Sequence, residues 1–312
     1  MLAMKYFDLH CDTPSIILSK GESLTENTGH VSLAYAEDFS IYAQFYAVWI
    51  PSGVFGEEAF NQFVKTYEYF IGQIEKNGNL KLCLSHEDLT SARKTHMHAA
   101  FISVENAAAL GGKITNVKRL YDMGVRLMSI TWNGNNELAD GVGDDNAKGL
   151  TAFGSSVVKE LNSCGMIVDV SHLPEAGFWD VCEVAEKSFV ASHSNASAIC
   201  GHRRNLNDRQ ITEIVNRSGL IGINIYPTFL NDGNSANIGD VIKHIDYICS
   251  LGGQDVIAIG ADLDGVGDLP EGIENLSDMA KIREELLRKN YSEQLADNIM
   301  YNNAETFIGK ML

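Results

Sequence analysis

Apolar residues along the chain alternate between two kinds of pattern. Eight short runs rich in β-branched and aromatic residues lie at roughly 5–9 (KYFDL), 42–49 (YAQFYAVW), 99–104 (AAFISV), 125–131 (VRLMSIT), 166–171 (MIVDVS), 188–192 (SFVAS), 219–225 (GLIGINI) and 256–261 (VIAIGA). Strands buried on both faces of a parallel sheet carry runs of this kind. Between them, apolar positions recur at three- and four-residue spacing. Segment 57–76 places Phe60, Phe63, Val64, Tyr67, Ile71 and Ile74 in this way and closes at Gly78. Segment 151–163 carries Phe153, Val157, Val158 and Leu161 on one face before Gly165, and 239–251 stops at Gly252-Gly253. From Ser277 to Leu312 the pattern predicts two helices with Ser277 and Ser292 as N-caps.

Eight strand-then-helix units predict an α/β fold, a (β/α)8 TIM barrel, with residues 1–312 as one domain. A ninth apolar run, LKLCL at 80–84, is surplus and reads as a small extra strand. Segments 20–40 and 133–150 read as insertions at the strand ends, where long loops shape a pocket.

Composition narrows the partners. The chain has 312 residues, 45% of them hydrophobic, and 41 acidic against 24 basic residues give a net charge of −17. Such a charge repels phosphate backbones and anionic lipid, so neither nucleic acid nor a membrane is an expected partner. No run of about 18 uncharged apolar residues occurs, and the N-terminus lacks the basic and apolar regions of a signal peptide. Six cysteines without a CxxC pair read as reduced thiols, so the expected compartment is the cytoplasm.

Chemistry concentrates where the apolar runs end. His10 and Asp12 follow the first, Glu105 the third, His172 the fifth, His193 the sixth and Asp262 the eighth. Parallel strands of a barrel end at one edge, so these residues converge there. In an extended HCD segment His10 and Asp12 point one way and Cys11 the other, and an imidazole beside a carboxylate can chelate a divalent cation. Alone, HxD is a weak motif, a lone glutamate after a strand also reads as a loop charge, and each histidine also reads as structural. Together, His172 and His193 suit a second cation, and Glu105 has two oxygens with which to bridge a pair. Asp262 stands nearest its strand end and suits proton transfer, whereas Asp264 and Gly265 read as turn residues. Asp8 and Asp169 lie inside strands and read as partners that orient a ligand histidine. Arg203 and Arg204 read either as a surface pair or as a fork for a substrate carboxylate.

On these residues the chain resembles the renal (membrane) dipeptidase family of the amidohydrolase superfamily. The resemblance runs nearly end to end through DLHCDT, SVEN, DVSH, SHSNASAICGHRRNLND, IGADLDGV, PEGIENLSD and ADNIMYNNAETF. It implies a metal-dependent dipeptidase with two zinc ions, other divalent cations being an alternative, and a small dipeptide as substrate. His10 and Asp12 would hold one ion, His172 and His193 the other, and Glu105 would bridge them. Asp262 would be the acid/base, Arg204 would grip the substrate's terminal carboxylate, and Tyr226 would line the pocket. Trp132 stands in SITWNGNN where the best-known members carry a histidine that contacts substrate, and Glu105-Asn106-Ala107 replaces the EGG of many members. The resemblance is to bacterial-type members, without the leader and lipid anchor of animal ones, and it suggests a homodimer. The rival readings are hydrolysis of N-acyl amino acids or lactams at the same site, a non-catalytic metal-binding scaffold, and a phosphoesterase. No ligand is missing, which disfavours the scaffold. A phosphate-cradling glycine loop and a lysine ligand are not found, which disfavours the phosphoesterase.

Overall fold

The structure is a computed structural model that describes residues 4–233 and 235–312. Its strands are β1 (Lys5–Cys11), β2 (Ile41–Trp49), β3 (Leu80–Leu82), β4 (His98–Glu105), β5 (Val125–Ser129), β6 (Ile167–Asp169), β7 (Val190–Ala191), β8 (Leu220–Ile223) and β9 (Ile257–Ile259). The helices between and after them are α1 (Thr13–Lys20), α2 (Gly56–Glu75), α3 (His86–Lys94), α4 (Thr115–Asp122), α5 (Ala152–Cys164), α6 (Glu175–Val184), α7 (Asp208–Asn216), α8 (Pro227–Leu230), α9 (Ile238–Ser250), α10 (Ala280–Arg288), α11 (Glu293–Asp297) and α12 (Asn303–Met311).

The strands run in the order β2-β1-β9-β8-β7-β6-β5-β4, and β2 pairs with β4 to close a parallel eight-stranded barrel. This is the expected (β/α)8 architecture. The surplus apolar run forms β3, which stands outside the ring. Residues 98–100 of β4 pair with β3, while 102–104 pair with β5 on the same edge, so β4 is long enough to serve both.

Local chemistry sets the element ends. Thr151 caps α5 by accepting from the Gly154 N–H, and Gly165 ends it at φ 84°, a left-handed conformation cheapest for glycine. Asn237 and Asp240 form a reciprocal cap at the start of α9. The tail departs from expectation. It holds three helices, α10 to α12, with a π-helical segment Asn298–Asn302 before the last. Ser292 caps α11, but Ser277 caps nothing: Asn275 accepts its N–H and starts a short 3-10 turn instead.

The barrel interior is apolar at its lower end. Phe7, Phe45 and Phe101 stack there at centroid distances of 5.0–6.1 Å. Tyr301 and Phe307 of the C-terminal segment belong to the same buried cluster. Asn303 donates to the Ile257 carbonyl at 2.8 Å and to that of Gln254 at 2.9 Å, fastening α12 under the barrel. That end is plugged, so an open polar site is left to the other, where the strands finish. Among the described residues no helix is long and apolar enough to cross a membrane. The six cysteines are free thiols.

Candidate metal centre

Glu105 stays in register with Trp49 at the end of β4, whereas the other groups are delivered where the backbone leaves regular pairing. The β1–β2 register shifts between Asp8 and Cys11, a bulge that re-aims the end of the strand. Asp8 pins it: Oδ1 accepts the His10 N–H at 3.1 Å and the Ala261 N–H at 3.0 Å, and Oδ2 accepts the Tyr6 hydroxyl at 2.6 Å. Asp8 thus orients His10 through its backbone, not its ring. His172 and Asp262 turn into the mouth at φ 68° and φ 64°. Such left-handed backbone costs a non-glycine residue about 1 kcal/mol or more and gathers at functional sites. Strands β6, β7 and β9 are accordingly shorter than the apolar runs that predicted them. Tyr226 lies three residues past β8, directly before α8.

The expected groups converge. His10 Nε2 stands 3.4 Å from Asp12 Oδ2, 3.7 Å from Glu105 Oε2 and 3.7 Å from Asp262 Oδ1. His172 Nε2 lies 2.8 Å from Glu105 Oε1, and His193 Nε2 3.7 Å from that same oxygen. Glu105 therefore offers one oxygen to His10 and the other to the second histidine pair. Among the described residues, groups of three whose donor atoms all lie within 4.8 Å of one another are His10, Glu105 and His193, and His10, Asp12 and Asp262. These groupings cross the expected division, because the His193 ring also lies 4.0 Å, centroid to centroid, from that of His10.

Hydrogen bonds leave ligand lone pairs facing inward. His172 Nδ1 meets Asn133 Oδ1 at 2.9 Å and His193 Nδ1 meets Ser192 Oγ at 2.7 Å. An Nδ1–H committed to an oxygen leaves Nε2 with a lone pair. The two Nε2 atoms then face each other at 2.7 Å. Two acceptors at that separation need a cation or a proton between them. Glu105 Oε2 and Asp12 Oδ1 are buried without a hydrogen-bond partner among the described residues. Imidazoles, carboxylates and unpartnered oxygens converging in this way fit divalent transition metals.

Charge points the same way. Burial opposes a charge on His10, yet Glu105, Asp12 and Asp262 outweigh it and push the imidazole up to about 10. Burial, with Asp12 and Asp262 adding to it, raises Glu105. Burial, aided by Asp12 and opposed by His10 and Asn224, pushes Asp262 up to about 6. Burial holds His172 and His193 well below the usual imidazole range, with Arg204 and His10 contributing. The cage thus has too many carboxylates for the positive charge its own residues supply, and two imidazoles that stay neutral as ligands must.

Other groups surround it. Arg204 is 5% exposed, its guanidinium donates to the His193 carbonyl at 3.2 Å, and its Nε has no hydrogen-bond partner among the described residues. Arg203 instead lies outside and pairs with Asp145 at 2.7 Å, so the two arginines part. Trp132 packs edge-on against Trp49 at 5.0 Å and lies 6.4 Å from the His172 ring. Asp264 accepts the Thr13 hydroxyl at 2.7 Å and the His30 N–H at 2.5 Å, which ties the 20–40 insertion to the β9 turn. Three participants escaped sequence reading: Asn133, Ser192 and Asn224, whose amide donates to Asp262 Oδ2 at 2.9 Å. The adjacency of Ser192 to His193, and INI-Tyr226 ending a strand, were the available signals.

Comparison with known proteins adds to this geometry. The model of a family described as membrane dipeptidase (peptidase family M19) matches residues 1–309. The chain is 33% identical over 236 residues to a Klebsiella pneumoniae protein described as an uncharacterized protein in the pqqA 5' region, covering 72% of this chain and 87% of that one. It is 26% identical over 316 residues to Dipeptidase 3 of Homo sapiens, covering 97% of this chain but only 64% of that relative's length. A solved metallo peptidase from Rhodobacter sphaeroides, liganded with a phosphinate mimic of the dipeptide L-Ala-D-Ala, shares the fold at TM-score 0.93 and 23% identity, covering 99% of this chain and 100% of that one.

Proposed function

The chain belongs to the membrane dipeptidase family, peptidase family M19, and from that premise we propose that it is a metal-dependent dipeptidase with a two-ion centre. The observation that carries this reading is Glu105, whose two oxygens address His10 on one side and His172 with His193 on the other. One carboxylate divided between two histidine sets suits a bridge between two cations roughly 3.5–4 Å apart. We assign His10 and Asp12 to one ion and His172 and His193 to the other, and we take both as zinc, which neutral imidazole and carboxylate favour.

Bound there, the ions would acidify water and polarise the scissile carbonyl. The chain's own groups do the rest. Arg204 receives the substrate's terminal carboxylate, since a guanidinium fork matches that group and its Nε lacks a hydrogen-bond partner among the described residues. Asp262 takes the proton released by the attacking water and returns it to the departing nitrogen. Its burial and its hydrogen bond from Asn224 hold the carboxyl at the mouth of the barrel. Trp132 and Tyr226 wall the pocket, and Trp132 cannot titrate, so it contributes contact and at most one N–H donor.

The test is metal analysis of the purified protein together with a hydrolysis screen. L,L, L,D and D,D dipeptides are assayed beside N-acyl amino acids and lactams. Dipeptide cleavage lost on chelation and restored by zinc is the expected result. Cleavage of N-acyl amino acids or lactams alone would reassign the substrate while keeping the centre. Activity indifferent to chelation would overturn both.

A further inference from the structure

We propose that Asp169 is a positioning residue for this centre, acting through the Ser192 hydroxyl to hold His193 with its proton on Nδ1 and its lone pair on Nε2. The proposal rests on the metal-dependent reading above.

Asp169 ends β6 and is completely buried. Its Oδ2 accepts the hydroxyls of Ser129 and Ser192, each at 2.6 Å. Its Oδ1 accepts the backbone N–H of Ser171 and of Ser192, each at 2.9 Å. These donors come from the ends of β5, β6 and β7, so one carboxylate ties three adjacent strand ends together. Four donors offset the cost of burying it.

Proton counting fixes the next step. A serine hydroxyl has one hydrogen. Ser192 spends it on Asp169, so its oxygen can only accept from His193 Nδ1, 2.7 Å away. His193 Nε2 is then a lone pair directed at Glu105 and His172. The other two imidazoles are held differently. His172 leans on the neutral amide of Asn133, which is solvent-exposed, and His10 Nδ1 has no hydrogen-bond partner among the described residues. Only His193 has an anion behind it, one hydroxyl removed. Partners of this kind fix ring orientation and strengthen the donor nitrogen.

The test has two arms. In protein labelled with 15N-histidine, the His193 ring should show the Nδ1–H tautomer with or without zinc. Ser192→Ala and Asp169→Asn should weaken one of the two ions by about 10–100-fold, in chelator competition followed by cobalt absorption, and leave the other within about twofold. An Nε2–H tautomer in the wild type would overturn the proposal. So would wild-type affinity for both ions in Ser192→Ala, or an equal loss of both, which is what a merely structural role gives. The tautomer arm uses the wild type and survives if either variant fails to fold. Wild-type protein that binds no divalent cation would sink the dipeptidase reading instead.

Discussion

Single residues at this site are constrained by what their neighbours have already taken. Asp262 holds a left-handed backbone, receives the Asn224 amide and stands 3.7 Å from His10. If it moves the proton, Asp262→Asn keeps the shape and loses the base. Turnover should fall by at least about 10²-fold with metal content near that of the wild type. A variant that instead loses metal would make Asp262 a ligand, and full turnover would refute its role. The sequence showed Asp262 and its five companions because each follows an apolar run. It could not show Asn133, because an asparagine in a polar loop looks like any turn residue until its partner is placed beside it, whereas Asn224 lies inside the apolar run 219–225 and reads there as part of the strand. Asp264 illustrates the converse. It reads as a turn residue and sits in one, yet it also holds Thr13 and His30 from a distant segment.

Elements matter here chiefly for where they stop. Strand β7 has two residues, and beyond it the backbone folds inward, so that the Ser192 carbonyl lies where a Cβ on Gly222 or Gly260 would stand. Those two glycines make room for the bend that carries His193 into the mouth. Gly260→Ala should therefore cost about 1–3 kcal/mol or more, as overpacking does, and weaken metal binding as well. Urea unfolding with a metal titration would check this, and wild-type values in both would contradict it. The apolar runs predicted strands of five to seven residues at these places because periodicity records burial, and the chain stays buried after it has stopped pairing.

Helix α9 gives a prediction of another kind. His244 is fully buried, accepts the Ala196 N–H at Nδ1 and donates from Nε2 to the Leu230 carbonyl at 2.9 Å. Burial lowers its pKa. Its contribution to stability is therefore present above the ordinary imidazole value of about 6.5 and is lost as pH falls through that value toward the lowered one. His244→Asn should lower the melting temperature at pH 8 and flatten its decline between pH 7 and 5. An unchanged acid limb would contradict the assignment.

At the scale of the whole molecule, the barrel was legible because eight apolar runs alternated with helical spacing, and the plug was not. Nothing in the spacing of Tyr301, Asn303 and Phe307 says that they close the lower end of the barrel. That closure confines the chemistry to the other rim, where a chain of net charge −17 offers divalent cations an attractive field. In the proposed centre one carboxylate, Glu105, serves both sides of that rim. The direct measurement is the metal stoichiometry of wild type and Glu105→Ala, read by elemental analysis beside dipeptide turnover. Two equivalents in the wild type, and at most one with no turnover in the variant, is the predicted result. Two tightly held equivalents in Glu105→Ala, or full wild-type turnover after exhaustive chelation, would contradict it.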